Sequence, residues 1–561
     1  MVVAKHQIFR KSILGCILAS LVTSCSLNAT TEGVLIDSTE QSQETVQLIQ
    51  QTEEQINSLL PGELSPYYLS TLSSLYATNQ MKAMWQDTQA TKEFEQQLAE
   101  LALAGFQPQF NRWALQLANP AITGMMRDIV LSDAMLGYLH FIDGVQTQGE
   151  RWLYQSKAYK LEIPTTESLN QWQSAIKNRD LQKYVNTLAP QNSGYAAMRK
   201  TMLTFLKDEK EWPKVSFKKT VKVGNTLTAN DAAALEEILN RTASWSNNPT
   251  LQVVLTETKK YDKSLVEAVK TFQTLHGLSN DGSVGKQTVA WLNTTPQERA
   301  ALMALNIQRL RMLPATYDDN IMVNIPAFSL TYYADGKEVL SSRVIVGRPD
   351  RKTPLMSNAV TNVVINPPWN VPTKLAREDI MPKVKRDPEY LKRMGYKVYS
   401  GWDRKAEALD VSTVDWSTVS ANGLRFEQAP GGGNSLGRYK FNMPNSQAIY
   451  LHDTPNHRSF DKSYRALSSG CIRVNESETL INLLLDDVGD WNRDRISQTV
   501  QGRKTTYINL LDKVPVQLYY MTAWANAEQS PQFRNDVYHY DSMAKNALKE
   551  IEYIKLLLNE D

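Results

Sequence analysis

The chain has 561 residues, of which 42% are hydrophobic and 21% charged, and its 61 basic and 59 acidic side chains leave a formal net charge of +2. A chain of this length exceeds one ordinary hydrophobic core, so we expect about two to four domains. The balanced charge is typical of a globular protein and gives no electrostatic reason to expect a nucleic-acid partner.

The first 25 residues are predicted to be an export signal. Basic residues, including Lys5 and Arg10, precede the apolar run of residues 13–22, which is too short to span a bilayer. The run leads to Cys25 in a sequence that resembles the lipobox of bacterial lipoproteins, so we expect a lipid anchor there. The alternative is a signal that ends in a free cysteine. The polar residues 26–58 are expected to form a flexible tether.

Cysteine usage singles out one thiol in the body of the chain. Cys16 and Cys25 fall in the predicted signal, which leaves Cys471. No disulfide can then form within the mature chain, and a lone thiol in an oxidising envelope is open to oxidation and mispairing. Its presence therefore favours a reactive role, and a buried inert cysteine is the alternative.

Residues 60–250 are predicted to be a largely helical scaffold. Phe94, Leu98 and Leu101 recur at helical spacing within residues 92–104. A second apolar helix is predicted over residues 131–142, because that segment is apolar over more than two turns.

Residues 255–295 are predicted to form a small helical unit of their own. Leu265, Val269 and Phe272 share one face of an amphipathic helix, and a glycine-containing loop and a second short helix follow. This spacing, with His276 in the turn, resembles the peptidoglycan-binding module of many wall enzymes. The resemblance implies binding to the wall polymer, and the alternative is a module that serves only as scaffold.

Residues 319–525 are predicted to form a mainly β domain. Its first candidate strands are residues 321–325, 328–333, 339–346 and 360–365. Residues 372–423 interrupt the strand pattern with a charged, helix-prone stretch that is too long for a passive loop. We therefore expect an inserted lid, with a surface excursion as the alternative, and a helical extension over residues 526–561.

His452 and Cys471 are the candidate base and nucleophile. They lie nineteen positions apart, on either side of a polar loop, so a strand, a loop and a second strand can bring them together. A thiol attacks as the thiolate, and a neighbouring imidazole removes its proton and stabilises the charge. Asn475 and Glu478 resemble a capping box at the start of an apolar helix, whose N-terminus would favour the thiolate.

The residues around Cys471 predict an oxyanion site. Gly470 allows a sharp bend, so that its amide and that of Cys471 can point at a developing oxyanion, and the Tyr450 hydroxyl is a further candidate donor. Arg473 is a candidate for holding a substrate carboxylate. The alternative for Arg473 is a solvated ion pair with Asp453, Asp461 or Glu476.

These residues resemble the YkuD-type L,D-transpeptidase family, and more closely its large YcbB-like branch. The matching positions are His452, Ser468, Gly470 and Cys471. Ser469 and Arg473 replace the family's second histidine and its asparagine, which leaves open what orients the imidazole; the carboxylate or the carbonyl of Asp453 is the candidate. The segment from Asn366 to Pro372, which contains Trp369, is similar to the branch's substrate loop.

The resemblance implies acyl transfer between peptidoglycan stems, with tetrapeptide stems as donor and acceptor. Cys471 would form a thioester and release D-alanine, His452 would move the protons, and an amine of a second stem would complete a 3-to-3 crosslink. The candidate substrate-binding residues are Tyr450, Arg473, Ser469 and Trp369. Carbapenems are expected to acylate the thiol, no cofactor is expected, and the location is the periplasm or cell envelope.

The sequence leaves three alternative functions open. Hydrolysis of the same thioester would make the protein an L,D-carboxypeptidase. A wall-binding scaffold would need no catalysis. A zinc-dependent wall peptidase would use ligands from among His452, Asp453, His457 and Cys471.

The predicted fold class is multidomain α+β. A helical N-terminal scaffold and a small helical module precede a mainly β catalytic domain with an inserted lid.

Overall fold

The computed structural model describes residues 38–558, apart from residues 156–158, 255–258, 404 and 527. The predicted export signal and its Cys25 motif lie outside these residues. Within the described part of the chain, no helix combines the length and the apolar character needed to cross a membrane.

The N-terminal part is a set of packed helices. In chain order, α1 to α8 are Ser38–Leu59, Leu69–Thr78, Thr88–Leu103, Pro108–Ala118, Gly124–Leu153, Thr166–Asn178, Leu181–Leu188 and Tyr195–Leu206. The helices predicted over residues 92–104 and 131–142 correspond to α3 and α5. α5 extends beyond the predicted segment at both ends, and its C-terminal part, residues 143–151, carries few apolar residues, so periodicity did not reveal its full length.

From residue 38 onward, α1 contradicts the prediction of a flexible tether over residues 26–58, whose first part, residues 26–37, lies outside the described residues. It packs against α2 and buries Ile56 completely, while most of its other described side chains are exposed. A polar helix needs only a narrow apolar stripe to pack, so composition alone misjudged this segment.

The small helical module follows the first set of helices and continues into a long buried helix. Its helices are α9 Ala229–Ser246, α10 Lys263–Leu275 and α11 Lys286–Leu292, followed by α12 Pro296–Leu310. Leu265, Val269 and Phe272 are buried, as the helical spacing predicted. Thr295 and Glu298 form a capping box that begins α12.

The strands begin after α12. In chain order, β1 to β14 are Asn320–Asn324, Ser329–Ala334, Lys337–Gly347, Met356–Ile365, Trp369–Val371, Tyr396–Tyr399, Arg425–Gln428, Tyr439–Asn442, Leu451–His452, Ala466–Ser468, Ile472–Val474, Thr506–Tyr519, Ala523–Ala525 and Pro531–Phe533. Among the described residues, nine of them form one sheet in the order β10-β3-β11-β9-β8-β4-β12-β1-β2. β2 also pairs with β3, so the sheet closes on itself around a buried core.

Residues between β5 and β7 form a separate subdomain, here called the insert. Its short helices are α13 Thr373–Leu375, α14 Met381–Arg386 and α15 Tyr390–Arg393, with a π turn at Ala376–Ile380. β5, β7 and β6 form a three-stranded sheet of their own. A separate apolar cluster that includes Val384, Trp416 and Phe426 holds the insert together, so it is a folded unit rather than a surface excursion.

The chain after β11 returns to the first helices. α16 Ser477–Leu484 and α17 Arg493–Gln501 precede β12, and a 3₁₀ segment Ser542–Glu550 and α18 Ile551–Leu558 follow β14. α18 packs against α3 and α4. The predicted capping box of α16 is absent: Glu476 precedes this helix without a side-chain cap, and the Asn475 amide donates to the Glu476 carboxylate instead.

Candidate active site

Three adjacent strands place the candidate residues on one face of the closed sheet. β9 and β11 run parallel with His452 opposite Arg473, and β8 runs antiparallel to β9 with Lys440 opposite His452. The Ile472 amide donates to the Tyr450 carbonyl oxygen at 3.1 Å, which sets Cys471 beside Tyr450. Side chains alternate between faces along a strand, so these five residues share one face.

The opposite face of these strands belongs to the core. Phe441 and Leu451 are paired across β8 and β9, and both are completely buried. His452 and Cys471 are diagonal neighbours on adjacent strands of the other face. The structure therefore brings together the two residues whose separation in sequence is nineteen positions.

The Cys471 thiol is half-buried and lies beside Tyr450. Its Sγ lies 3.6 Å from the Ala448 carbonyl oxygen, and both the amide and the hydroxyl of Tyr450 are within hydrogen-bonding reach of the sulfur. Burial raises the pKa of the thiol, whereas the two Tyr450 donors and the charges of Lys440 and Arg473 oppose that rise. The surroundings thus supply partners for a thiolate in a site that otherwise disfavours charge.

The backbone of Asp453 orients His452. The imidazole Nδ1 lies 2.5 Å from the Asp453 carbonyl oxygen. A carbonyl only accepts hydrogen bonds, so Nδ1 carries the proton and Nε2 is left as the basic nitrogen. Burial and the nearby Arg473 charge lower the pKa of His452 to about 3, so the imidazole is neutral at neutral pH.

The Asp453 carboxylate has a different task. Its Oδ2 accepts a hydrogen bond from the Arg438 amide at 2.8 Å, and the exposed His457 Nε2 lies 3.4 Å from Oδ1. The backbone of Gly437, at φ +65°, lies so close to the Asp453 carboxylate that a Cβ at this position would be 2.2 Å from Oδ2. Of the two sequence-based candidates for orienting the imidazole, the structure therefore selects the carbonyl.

The expected oxyanion role of the Gly470 amide is contradicted. This amide donates to the Ser468 hydroxyl at 3.1 Å, and that hydroxyl donates to the Cys471 carbonyl oxygen at 2.6 Å. The Gly470 carbonyl in turn accepts from Thr353 Oγ1 at 2.7 Å. Gly470 still supplies the bend, at φ +123°, but its N–H is already engaged.

The loop that contains Thr353 is supported by the end of the chain. The Tyr538 hydroxyl donates to the Gly347 carbonyl oxygen at 2.7 Å and accepts from the Thr353 amide at 3.0 Å. Residues beyond β14 therefore hold the Gly470 turn in place through one intermediate loop.

Ser469 lies next to a cation that joins the active-site turn to the insert. Arg351 Nη1 donates to the Ser469 hydroxyl at 3.0 Å and to Asp379 at 2.5 Å. Arg351 Nη2 donates to Glu378 at 2.8 Å and to the second Asp379 oxygen at 3.0 Å. Ser469 is thus bound to a residue that the sequence analysis had not identified.

Trp369, on β5 at the base of the insert, reaches the site from the other side. Burial raises the pKa of the Tyr450 phenol, and the Trp369 indole beside it opposes that rise. The insert is therefore connected to the sheet face through two separate contacts, Trp369 with Tyr450 and Arg351 with Asp379.

Arg473 is half-buried and forms none of the ion pairs considered from the sequence. Asp461 lies 3.8 Å from Arg343, Glu476 accepts from Asn475, and Asp453 is engaged as described above. The buried Arg473 Nε has no hydrogen-bond partner among the described residues. Among the described residues, the Arg473 guanidinium therefore has no ion-pair partner.

The zinc alternative receives no geometric support. In the described parts of the chain, no three or more His, Cys, Asp or Glu side chains are grouped as metal ligands. His452 Nδ1 and the Asp453 Oδ2 are already occupied by backbone groups, so the ligand set considered from the sequence is not assembled.

Comparison with known proteins identifies the class. Residues 318–506 match the YkuD family, described as "L,D-transpeptidase catalytic domain". Residues 70–202 match a family described as "Scaffold domain", and residues 228–292 match one described as "Putative peptidoglycan binding domain". The matches follow the order of helical part, small module and β domain that was predicted from the sequence.

One curated protein and one solved structure are also similar to this chain. A Haemophilus influenzae protein named "Putative L,D-transpeptidase" is 30% identical over 505 residues, which cover 88% of this chain and 83% of the relative. The crystal structure of an L,D-transpeptidase from Xylanimonas cellulosilytica is 15% identical and covers 55% of this chain and 100% of that one, with a TM-score of 0.17. On the similarity to the Haemophilus protein, the chain belongs to the L,D-transpeptidase family with a YkuD catalytic domain.

Family membership confirms the resemblance stated from the sequence and the multidomain α+β fold class. It also indicates peptidoglycan as the substrate and the envelope or periplasm as the location, because the family consists of cell-wall enzymes.

Proposed function

We propose that this protein forms 3-to-3 peptidoglycan crosslinks through a thioester on Cys471. The observation that carries this proposal is the shared sheet face on which a half-buried thiol, a neutral imidazole and two cations meet. Covalent catalysis by cysteine requires a base beside the thiol and charge stabilisation around it, and the pairing of His452 with Arg473 and Lys440 next to Cys471 supports both requirements.

In the first half-reaction, the Cys471 proton moves to His452 Nε2 as the sulfur attacks the carbonyl between the third residue of a donor stem and its terminal D-alanine. The carbon–nitrogen bond then breaks, and His452 returns the proton to the amine of the departing D-alanine. A thioester and free D-alanine result. The neutral state of His452 suits this step, because only an unprotonated imidazole accepts the proton.

In the second half-reaction, a side-chain amine of an acceptor stem attacks the thioester. His452 takes one proton from the attacking nitrogen and gives it to the departing sulfur, which restores the thiol and leaves an amide crosslink. No redox step and no cofactor enters this sequence.

The insert is proposed to favour the amine over water in that second step. It contacts the site through Trp369 and through the Arg351 ion pairs with Glu378 and Asp379, on two sides of Cys471. A cover held at two points excludes solvent from the thioester better than a free loop.

Arg473 is proposed to bind a carboxylate of the donor stem. Its guanidinium shares the face of Cys471 and has no acidic partner among the described residues. A fork of donors beside the reacting carbonyl would fix the donor stem in one orientation.

The small helical module is proposed to act as much by packing as by binding. His276 is completely buried and stacks on Phe272 and Phe533, and its Nε2 lies 2.7 Å from Arg299 Nη1. The motif histidine therefore cannot contact wall polymer without unfolding its surroundings. Any contact with the polymer would use the module's outer surface, and an anchor at Cys25 would hold the whole chain near the membrane.

The decisive experiment uses purified full-length protein, a tetrapeptide donor stem and excess acceptor stem. We expect crosslinked dimer and free D-alanine from the wild type, and a loss on the order of 10³-fold or more for Cys471→Ala. Free tripeptide without dimer would instead establish an L,D-carboxypeptidase. Unchanged crosslinking by Cys471→Ala would overturn the proposal.

Carbapenem labelling gives a second, independent measurement. Intact-mass analysis is expected to show one covalent adduct on the wild type and none on Cys471→Ser, and peptide mapping should place the adduct at Cys471. An adduct that persists in Cys471→Ser would show that another residue reacts.

A further inference from the structure

Lys440 occupies an unusual position for a lysine. It lies on β8 directly opposite His452, is half-buried, and holds its ammonium group 4.3 Å from the centroid of the Tyr450 ring. Tyr450 in turn contacts the Cys471 sulfur. The ammonium group of an ordinary surface lysine extends into water. That of Lys440 instead lies over the Tyr450 ring, beside the thiol.

Lys440 has no counter-ion in the described parts of the chain. None of the ion pairs there includes Lys440 or Arg473, although each of the two shares the face of Cys471. Burial lowers the pKa of both cations, and the Cys471 sulfur, when ionised, is the charge that raises them again. A half-buried cation without an anion is costly, so this arrangement implies a negative partner in the working enzyme.

The charges around Cys471 come from every element packed against it. The titratable groups are Lys440 on β8, Tyr450 just before β9, His452 on β9, Arg473 on β11, and Arg351 with Glu378 and Asp379 beyond Ser469. The two acidic residues are both paired with Arg351, so the groups that face the sulfur directly are neutral or positive.

These positive charges disfavour protonation of His452. Arg473 and Lys440 both disfavour a second positive charge on His452, which burial also disfavours. In a common cysteine site the thiolate is balanced by the protonated imidazole beside it. Here a protonated His452 would be repelled from two sides, so another group has to balance the sulfur.

We propose that Lys440 is a positioning residue whose ammonium group, together with Arg473, stabilises the Cys471 thiolate in place of an imidazolium. His452 is then protonated only transiently, while it carries the proton from sulfur to nitrogen, and the charge on sulfur is balanced by residues of β8 and β11. This inference rests on the proposed function, because it takes Cys471 as the nucleophile. It adds a residue that has no place in the proton transfers.

The test measures the pH dependence of Cys471 alkylation by iodoacetamide in the full-length protein, with adducts counted by intact mass. Lys440→Met keeps the length of the side chain and removes the charge. We expect the apparent pKa of alkylation to rise by about one unit, and the rate at pH 7 to fall about tenfold. Lys440→Arg should restore both values to within about threefold, because it restores the charge.

Lys383→Met is the matched control. The Lys383 ammonium also lies over a tyrosine ring, 5.4 Å from the centroid of Tyr390, but it belongs to the insert. Its removal takes away a similar cation–ring contact without a charge on the face of Cys471, so the alkylation profile should stay at the wild-type position. Unchanged melting temperatures and circular dichroism of each variant show that the fold is retained.

An alkylation profile of Lys440→Met that coincides with the wild type would overturn the inference, including the case in which only the KM for the donor stem rises. That last result would make Lys440 a substrate contact. Failure of the proposed function would appear differently, as crosslinking that survives Cys471→Ala, because alkylation reports on the thiol whatever reaction follows.

Discussion

His452 donates its Nδ1 proton to the carbonyl oxygen of the residue that follows it, Asp453, at 2.5 Å. The side chain of Asp453 meanwhile supports the Arg438 backbone. The orientation of the His452 imidazole therefore depends on a peptide carbonyl, which no side-chain substitution removes. The Asp453 carboxylate instead stabilises the Leu436–Arg438 turn.

Asp453→Asn should therefore affect stability more than chemistry. An amide oxygen still accepts from the Arg438 amide, so we expect a loss of about 1 kcal/mol in stability and a kcat within about tenfold of the wild type. Urea denaturation and steady-state crosslinking measure the two effects. His452→Asn is the comparison variant, with an expected loss on the order of 10³-fold. A loss of similar size in Asp453→Asn would show that the carboxylate acts on the imidazole.

The pH dependence of acylation should lack the acidic limb of an ordinary histidine. Burial and Arg473 lower the pKa of His452 to about 3, so the base stays unprotonated as the pH falls from 8 to 5. Burial raises the pKa of the Cys471 thiol, so the rate should rise with pH through a single alkaline ionisation. Carbapenem acylation rates between pH 5 and pH 10 measure this profile. A second ionisation near the usual histidine value of about 6.5 would contradict it.

Arg351→Met should loosen the insert and increase the share of hydrolysis. The substitution removes the ion pairs with Glu378 and Asp379 and the contact with Ser469, so water should reach the thioester more easily. We expect the ratio of free tripeptide to crosslinked dimer to rise severalfold and the insert to be cleaved faster in limited proteolysis.

Arg348→Met is the control for that experiment. Arg348 belongs to the same loop, but its ion pair is with the exposed Asp350 at 3.3 Å. An equal change in product ratio for both variants would mean that charge in the loop, and not the connection to the insert, controls hydrolysis.

Gly437→Ala should destabilise the catalytic domain. A Cβ at this position would lie 2.2 Å from the Asp453 Oδ2, and the backbone has φ +65°. Steric overlap and strain together should cost about 2 kcal/mol or more. Gly433→Ala is the matched control, because no atom lies within 4 Å of a Cβ there, and its effect should stay within about 0.5 kcal/mol. Urea midpoints that coincide for the two variants would contradict this account.

The insert illustrates how far sequence reasoning reached. Its existence followed from the length and composition of residues 372–423, but the folded unit begins at Trp369 and ends at Gln428, because β5 and β7 pair with each other. Strand pairing between distant segments has no local signature in the sequence, so the boundaries of the insert could not be predicted from hydrophobic periodicity. The predicted strands of the main sheet were recovered, since alternation within a strand is local.

Lys440 and Arg351 were missed for the same reason. Tyr439 and Phe441 indicate a strand with Lys440 on its other face, but only the pairing of β8 with β9 shows what lies on that face. Arg351 is one charged loop residue among several until its contacts with Ser469 and Asp379 are seen. The prediction that the Gly470 amide binds an oxyanion was wrong, because this amide donates to the Ser468 hydroxyl instead, and that hydrogen bond depends on the shape of the turn.

The sequence by itself determined the chemical groups and the family, because a single thiol beyond the predicted export signal and a histidine nineteen positions before it are properties of the chain. Only the tertiary structure decided how those groups are charged. The protonation of His452 and the balance of charge at Cys471 depend on burial and on the cations of β8 and β11. Electrostatic interactions depend on distance in space and not on separation along the chain, so the sequence alone does not show them.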